Sequence, residues 1–181
     1  MSFITKDDTV LVAIDFQEKL MPAMSNGEET EERAAKLIRG MKVFDIPAIV
    51  TQQYTKGIGP TTAKLSAELG AFKHVEKTAF SAMRMPEFRE RLKETGRKNV
   101  VICGVEAHIC VLQTTLQLME EGYNVYVVVD CIDSRNENDK LWGISRMGEA
   151  GAVITTYESV LYEILQDSKA DGFKAISAIV K

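Results

Sequence analysis

The chain has 181 residues, 45% of them hydrophobic, and a formal net charge of -4. These values suit one domain with a buried core, here predicted to span residues 1–181, and exclude a disordered chain. Basic residues are scattered among acidic ones with no Lys/Arg run, so we expect no nucleic acid partner. Three cysteines without C-x-x-C spacing disfavour a disulfide framework and a cysteine-ligated zinc site.

The N-terminal residues 1–8 lack the apolar stretch of a signal peptide. The apolar run that follows, residues 10–14, is far shorter than the roughly 20 residues that span a bilayer. We therefore expect a cytoplasmic protein with no membrane association and with free thiols in a reducing compartment.

Short β-branched runs alternate with longer helical patterns along the chain. Strands are predicted at 9–15, 48–53, 74–77, 99–103, 124–130 and 152–155. Helices are predicted at 28–45, 86–95, 108–121 and 158–165, with another capped by Asn136 that ends before Gly151. This alternation predicts an α/β fold, with a six-stranded, mostly parallel, doubly wound (Rossmann-like) sheet inside a three-layer α/β/α domain.

In such sheets, ligands bind outside the carboxyl ends of the strands. Three chemically capable residues are predicted there: Asp15 closes the first strand, Lys77 ends the third, and Cys110 begins the helix after the fourth. A helix N-terminus and a nearby ammonium are expected to lower the pKa of a thiol. A carboxylate can accept the thiol proton, return it to a leaving group and then activate water. The trio thus suits acyl transfer to water.

Structural interpretations of the same residues stay open. Asp at a strand end often only caps a loop, a lone Lys is usually solvated, and a Cys in apolar surroundings is usually inert. We apply the last interpretation to Cys103 and Cys131, which lie within or just after predicted strands.

Five further segments follow one another over nearly the whole chain: AIDFQ (13–17), KTAFSAM (77–83), GVEAHICV (104–111), DCIDSRNENDK (130–140) and TTYESVLYEIL (155–165). In sequence and in order they resemble the motifs of the isochorismatase-like cysteine hydrolases, and most closely those of the stand-alone isochorismatase-domain proteins. The resemblance implies a six-stranded parallel sheet. It also implies that Cys110 is the nucleophile, Asp15 the general base, and Lys77 the cation that holds both in place.

The resemblance further implies a cis peptide between Val105 and Glu106. That bond would turn the Glu106 N–H inward, so that it forms an oxyanion hole with the Cys110 N–H. The Glu106 side chain would then need no part in catalysis. Related proteins commonly form dimers or larger rings, so we expect a homo-oligomer.

Two departures from the family pattern narrow the expected chemistry. The nicotinamidase branch binds a metal through one Asp and two His after the second strand, whereas residues 51–64 contain neither residue type. The two histidines, His74 and His108, have no partners at ligand spacing, so we expect no metal and no cofactor. Enzymes that split isochorismate lack the nucleophilic cysteine. Cys110 therefore favours hydrolysis of an amide- or ureide-type C–N bond in a small-molecule substrate through a thioester.

Five residues at the same rim are candidate pocket walls: Phe16, Gln17, Gln53, Tyr54 and Phe80. Core packing is an equal alternative for the aromatic residues. Arg135 suits a substrate carboxylate, a structural salt bridge or a subunit contact. His108 suits a local hydrogen bond or a substrate contact.

Two rival functions remain. A nucleotide- or flavin-binding module would need G-x-G-x-x-G or a P-loop, but FQEKLMPAM follows the first strand. A catalytically silent relative that acts by binding is the other alternative, and the presence of all three triad residue types counts against it.

Overall fold

The computed structural model describes residues 4–181. Its strands are β1 (Thr9–Ile14), β2 (Ala48–Gln53), β3 (Val75–Lys77), β4 (Asn99–Val105), β5 (Asn124–Asp133) and β6 (Val153–Thr155). They form one sheet in the order β3-β2-β1-β4-β5-β6 with every neighbouring pair parallel. This arrangement confirms the predicted α/β fold. The order reverses between β1 and β4, which is where such sheets place a ligand.

Helices cover the sheet on both faces. They are α1 (Gly27–Val43), α2 (Thr55–Ile58), α3 (Ala63–Leu69), α4 (Pro86–Glu94), α5 (Leu112–Glu120), α6 (Glu137–Glu149), α7 (Tyr157–Leu165) and α8 (Phe173–Val180). The sequence did not predict α2, α3 or α8. The first two are short, and short helices owe their stability to tertiary packing more than to propensity.

The sheet divides the core into two hydrophobic clusters. One lies under α1 and α7 and includes Leu37, Met41 and Leu161, and the other includes Phe88, Cys110 and Val111. Both β1 and β4 are buried along their whole length, because a central parallel strand is covered on both faces. This burial explains their nearly continuous apolar sequences.

The helix predicted at 108–121 begins differently. Residues Ala107–Val111 form a π-helical turn, and regular α-helix starts only at Leu112. Cys110 therefore lies inside an irregular turn and not at the first position of α5. Single π-turns are frequent at functional sites.

Gly104 lets this turn approach the end of β1. Its φ is +139°, and a Cβ there would lie 2.2 Å from the Ile14 backbone oxygen. Only glycine tolerates both the backbone conformation and the contact. β5 is also longer than predicted, because the pairing with β4 shifts register so that Gly104 pairs with Ile132.

No helix within residues 4–181 combines the length and apolar character that crossing a membrane requires.

Candidate active site

Asp15 occupies the first residue after β1 and has a left-handed backbone, with φ of +53°. Asp is among the few non-glycine residues that adopt this conformation readily. Its N–H donates to the Thr51 carbonyl oxygen at 3.2 Å, and the Thr51 hydroxyl donates to Asp15 Oδ1 at 2.7 Å. The end of β2 thus holds the carboxylate of Asp15, which is fully buried.

Lys77 ends β3 and is also fully buried. Its Nζ lies 2.6 Å from Asp15 Oδ2 and donates to Gln53 Oε1 at 2.6 Å. Longer contacts join Nζ to the Ala79 carbonyl oxygen at 3.4 Å and to Cys110 Sγ at 3.5 Å. A buried ammonium is stable only when paired and hydrogen-bonded, and these contacts supply both conditions.

Cys110 lies on the π-helical turn with 7% of its surface exposed. The Thr114 hydroxyl donates to the Cys110 carbonyl oxygen at 2.7 Å and accepts the Ala82 N–H at 3.0 Å. Thr114 therefore ties the turn to the segment after Lys77. Nothing in the sequence marked Thr51 or Thr114, because a threonine acquires such a role only from its neighbours in the fold.

The structure brings the three predicted side chains together, but it contradicts the expected pKa of the thiol. Burial, together with the charge of Asp15, raises the pKa of Cys110 to about 12, although Lys77 opposes the shift. Burial also raises the pKa of Asp15, against the effect of Lys77 and Thr51. The sequence expectation failed because it counted the ammonium and the helix terminus but not the desolvation of the sulfur. At neutral pH the thiol is protonated, and its activation requires proton transfer to a neighbouring group.

The Val105–Glu106 peptide bond is cis. Within the described chain no group accepts a hydrogen bond from the Glu106 N–H. The Glu106 carboxylate instead accepts the Arg135 N–H at 3.0 Å and Arg135 Nε at 3.2 and 3.1 Å. The structure therefore favours the salt-bridge role for Arg135.

Two of the pocket expectations are wrong. Phe16 packs in the cluster under α1, whereas Cys110 belongs to the cluster on the other face of the sheet. Gln17 is fully buried, and its amide is already engaged with the backbone of Gln53 and Gly59. Both ends of the Gln53 amide are also bonded within the protein. Its Oε1 accepts from Lys77, and its Nε2 donates to the Thr78 carbonyl oxygen at 2.8 Å.

Tyr54 and Phe80 are the most exposed of the pocket candidates, with 52% and 53% of their surfaces accessible. Tyr54 follows Gln53 in the chain, and Phe80 follows Ala79. Both Gln53 and Ala79 accept a hydrogen bond from the Lys77 ammonium. Both therefore lie beside the site at the carboxyl edge of the sheet.

His108 serves as a local hydrogen-bonding group. Its Nδ1 lies 2.9 Å from Ser134 Oγ, and its Nε2 lies 3.9 Å from Asp139 Oδ2. Within residues 4–181 no three His, Cys, Asp or Glu side chains are grouped closely enough to hold a metal ion.

The family model of the isochorismatase domain matches residues 9–159. The chain belongs to the isochorismatase family. This membership confirms the resemblance predicted from the sequence motifs, and the matched region contains all three residues of the site.

Relatives of this isochorismatase-family chain match it over nearly its full length. Isochorismatase domain-containing protein 2 of Xenopus laevis is 38% identical over 95% of this chain and 83% of its own. A structure described as the MAR1 ribonuclease of Caenorhabditis elegans is 36% identical with a TM-score of 0.93, covering 99% of this chain and 92% of that one. The YcaC gene product of Escherichia coli, described as an octameric hydrolase of unknown specificity, is 26% identical with a TM-score of 0.92 over 99% and 91%. Family membership supports a hydrolase role.

Proposed function

We propose that the protein is a cysteine hydrolase that cleaves the C–N bond of a small amide or ureide through a thioester on Cys110. One observation carries the proposal: the Lys77 ammonium lies 2.6 Å from Asp15 Oδ2 and 3.5 Å from Cys110 Sγ. A carboxyl group, a cation and a sulfur from remote parts of the chain thus meet in a mostly desolvated site. Such a site strengthens electrostatic interactions with a reacting group.

In the acylation step, the Asp15 carboxylate accepts the proton of the Cys110 thiol as Sγ attacks the substrate carbonyl carbon. A C–S bond forms, and the carbonyl oxygen becomes an oxyanion. When the C–N bond breaks, the protonated Asp15 gives its proton to the nitrogen, which leaves as ammonia or an amine. The raised pKa of Asp15 suits this return of the proton, since the carboxyl group accepts and releases it nearer to neutral pH.

In the deacylation step, Asp15 accepts a proton from water while the water oxygen attacks the thioester carbon. The C–S bond breaks, the acid product leaves, and the proton on Asp15 returns to sulfur. The Lys77 ammonium offsets the negative charge as it moves between Asp15, the sulfur and the oxyanion. The reaction consumes one water and requires no other reactant.

We assign the oxyanion hole to the backbone N–H groups of Glu106 and Cys110. The free N–H of Glu106 supports this assignment, and the pairing of its carboxylate with Arg135 holds the loop in place. Tyr54 and Phe80 are the proposed pocket walls, supported by their exposure beside the Lys77 loop. We further propose that the substrate is a small molecule and that the reaction uses no cofactor.

A homo-oligomer in the cytoplasm is the proposed setting. The octameric state described for the similar Escherichia coli structure supports self-association. The three cysteines are buried and free, as expected for a reducing compartment.

A screen for ammonia or amine release over small amides and ureides tests the proposal, with Cys110→Ala as the inactive control and Cys103→Ala as the matched active one. We expect one substrate class to be hydrolysed and a thioester on Cys110 to appear by mass spectrometry after acid quenching. Activity that survives in Cys110→Ala would overturn the nucleophile assignment.

RNA cleavage is a second candidate, favoured by the description of the Caenorhabditis elegans structure as a ribonuclease. The net charge of -4 argues against it, because RNA binding relies on basic surface. The screen therefore includes a single-stranded RNA, and we expect no cleavage that depends on Cys110.

A further inference from the structure

The Lys77 ammonium has three N–H donors, and one of them makes a short hydrogen bond to Gln53 Oε1. Asp15 Oδ2 and Gln53 Oε1 each lie 2.6 Å from Nζ. Asp15 Oδ2 is an ion-pair partner, and the short bond to Gln53 directs one N–H, which leaves donors for the remaining neighbours, Cys110 Sγ at 3.5 Å and the Ala79 carbonyl oxygen at 3.4 Å. The geometry points to Gln53 as a positioning residue that aims Lys77 at the Cys110 sulfur. This inference rests on the proposed function and deepens it.

Gln53 is itself held in one orientation. Its Nε2 donates to the Thr78 carbonyl oxygen at 2.8 Å, while its Oε1 faces an ammonium that can only donate. If the amide of Gln53 were flipped, its NH₂ group would face the Lys77 ammonium, and both groups are donors. Its oxygen would then face the Thr78 carbonyl oxygen, and both are acceptors. The orientation of this side chain is therefore decided by its neighbours.

Gln17 fixes the backbone of Gln53. Gln17 Oε1 accepts the Gln53 N–H at 2.7 Å, and Gln17 Nε2 donates to the Gln53 carbonyl oxygen at 3.0 Å. The same Nε2 donates to the Gly59 carbonyl oxygen at 2.6 Å. One buried amide thus pairs with the last residue of β2 as a neighbouring strand would. This pairing gives Gln17 a structural role in place of the substrate contact expected from sequence.

The neutrality of Gln53 matters as much as its position. Proton transfer from Cys110 to Asp15 moves one negative charge between two groups that share a single cation. A neutral amide contacts Lys77 without adding charge, so Lys77 has no second negative charge to offset during this transfer. A carboxylate at residue 53 would compete for the ammonium and oppose formation of the thiolate.

The test measures the rate at which iodoacetamide alkylates Cys110 as a function of pH, with the site identified by peptide mass spectrometry. Gln53→Met removes the acceptor at similar length, and we expect alkylation near neutral pH to slow about tenfold, the effect of one hydrogen bond to a charged group. Gln53→Glu keeps an acceptor but adds charge, and we expect its whole pH profile to move up by about one unit.

Gln52→Met is the matched control. Gln52 is the adjacent glutamine and is buried, and its amide bonds to Thr61 and Thr55 at 2.9 and 2.8 Å. We expect its alkylation profile to match that of the unmodified protein. If Cys110 alkylation slows equally in Gln52→Met and Gln53→Met, Gln53 has only a structural role. An unshifted pH profile in Gln53→Glu would lead to the same conclusion.

Lys77→Met separates failure of this inference from failure of the proposed function. If Lys77→Met slows alkylation and both Gln53 variants leave it unchanged, only the role of Gln53 is wrong. If Lys77→Met also leaves the rate unchanged, the activated thiol on which the proposed function rests is absent.

Discussion

Cys110 and Cys131 each have an aspartate within interaction range, yet only one of these regions has the features of a reactive site. The first pair is Cys110 with Asp15, and the second is Cys131 with Asp130, the residue before it in β5. The pKa is raised for both thiols and both carboxyl groups, with burial as the largest cause in each case. Burial and a neighbouring carboxyl group therefore do not distinguish a reactive site from a structural one.

The two pairs differ in their nearby cation and in their access to solvent. Lys77 is buried in direct contact with both members of the first pair. Arg33 acts on the second pair only from a distance and is bonded to Glu29 at 2.5 Å. Asp130 Oδ1 accepts the N–H of Tyr157 at 2.9 Å at the start of α7, and Cys131 is completely buried. The second pair holds a helix in place, whereas the first lies next to an accessible edge.

The largest expected contrast is between the two cysteines. We expect Cys110→Ala to lose turnover by roughly 10⁴-fold or more, because the covalent step disappears. Cys131→Ala removes one buried sulfur and is expected to cost about 1 kcal/mol of unfolding free energy with activity retained. Steady-state hydrolysis and urea denaturation measure the two effects. Comparable losses of turnover in the two variants would remove the distinction between the regions.

The two aspartates provide the next contrast. Asp15→Asn keeps the shape of the side chain but cannot accept a proton, so we expect turnover to fall by about 10²- to 10⁴-fold. Asp130→Asn keeps an oxygen for the Tyr157 N–H and is expected to leave turnover nearly unchanged. The same hydrolysis assay checks both, and a fully active Asp15→Asn would exclude the general-base role.

The two cations are expected to differ in how much they contribute to the unfolding free energy. Lys77→Met leaves the Asp15 carboxyl group buried without its partner, and we expect a loss of about 3–5 kcal/mol in unfolding free energy. Arg33 is partly exposed, so Arg33→Met is expected to cost less than about 1 kcal/mol. Urea denaturation at pH 7 measures both. Equal costs would show that the buried ion pair is not the stronger interaction.

The pH dependence gives the smallest expected effect. Because the pKa of Asp15 is raised, protonation on acidification should remove the general base at a pH above the ordinary Asp value of 3.8. Turnover should thus fall as the pH drops through this raised value and level off above it. Since burial raises the pKa of Cys110 to about 12, we expect no second rise near pH 8–9, where an ordinary thiol titrates. A rise there would indicate a solvated thiol.

The predicted strands and the residues at their ends could be derived from sequence because both depend on local patterns. Nearly continuous apolar runs marked β1, β4 and β5, and the carboxyl-edge rule then placed Asp15 and Lys77 on one rim. The contacts of Gln17 and Gln53 could not be derived in this way. A glutamine at a strand end is equally suited to bind substrate, backbone or ammonium, and only its three-dimensional neighbours select among these.

The sequence by itself determined the succession of the six strands and of five of the helices along the chain, the family motifs and the identity of the three chemically capable residues. Hydrophobic periodicity and turn residues encode the first of these over short stretches of chain. Tertiary structure alone decided the ionisation of the site, the neighbours of Lys77 and the difference between two cysteine–aspartate pairs. These properties depend on desolvation and on distances between residues far apart in the chain, and no local pattern records either quantity.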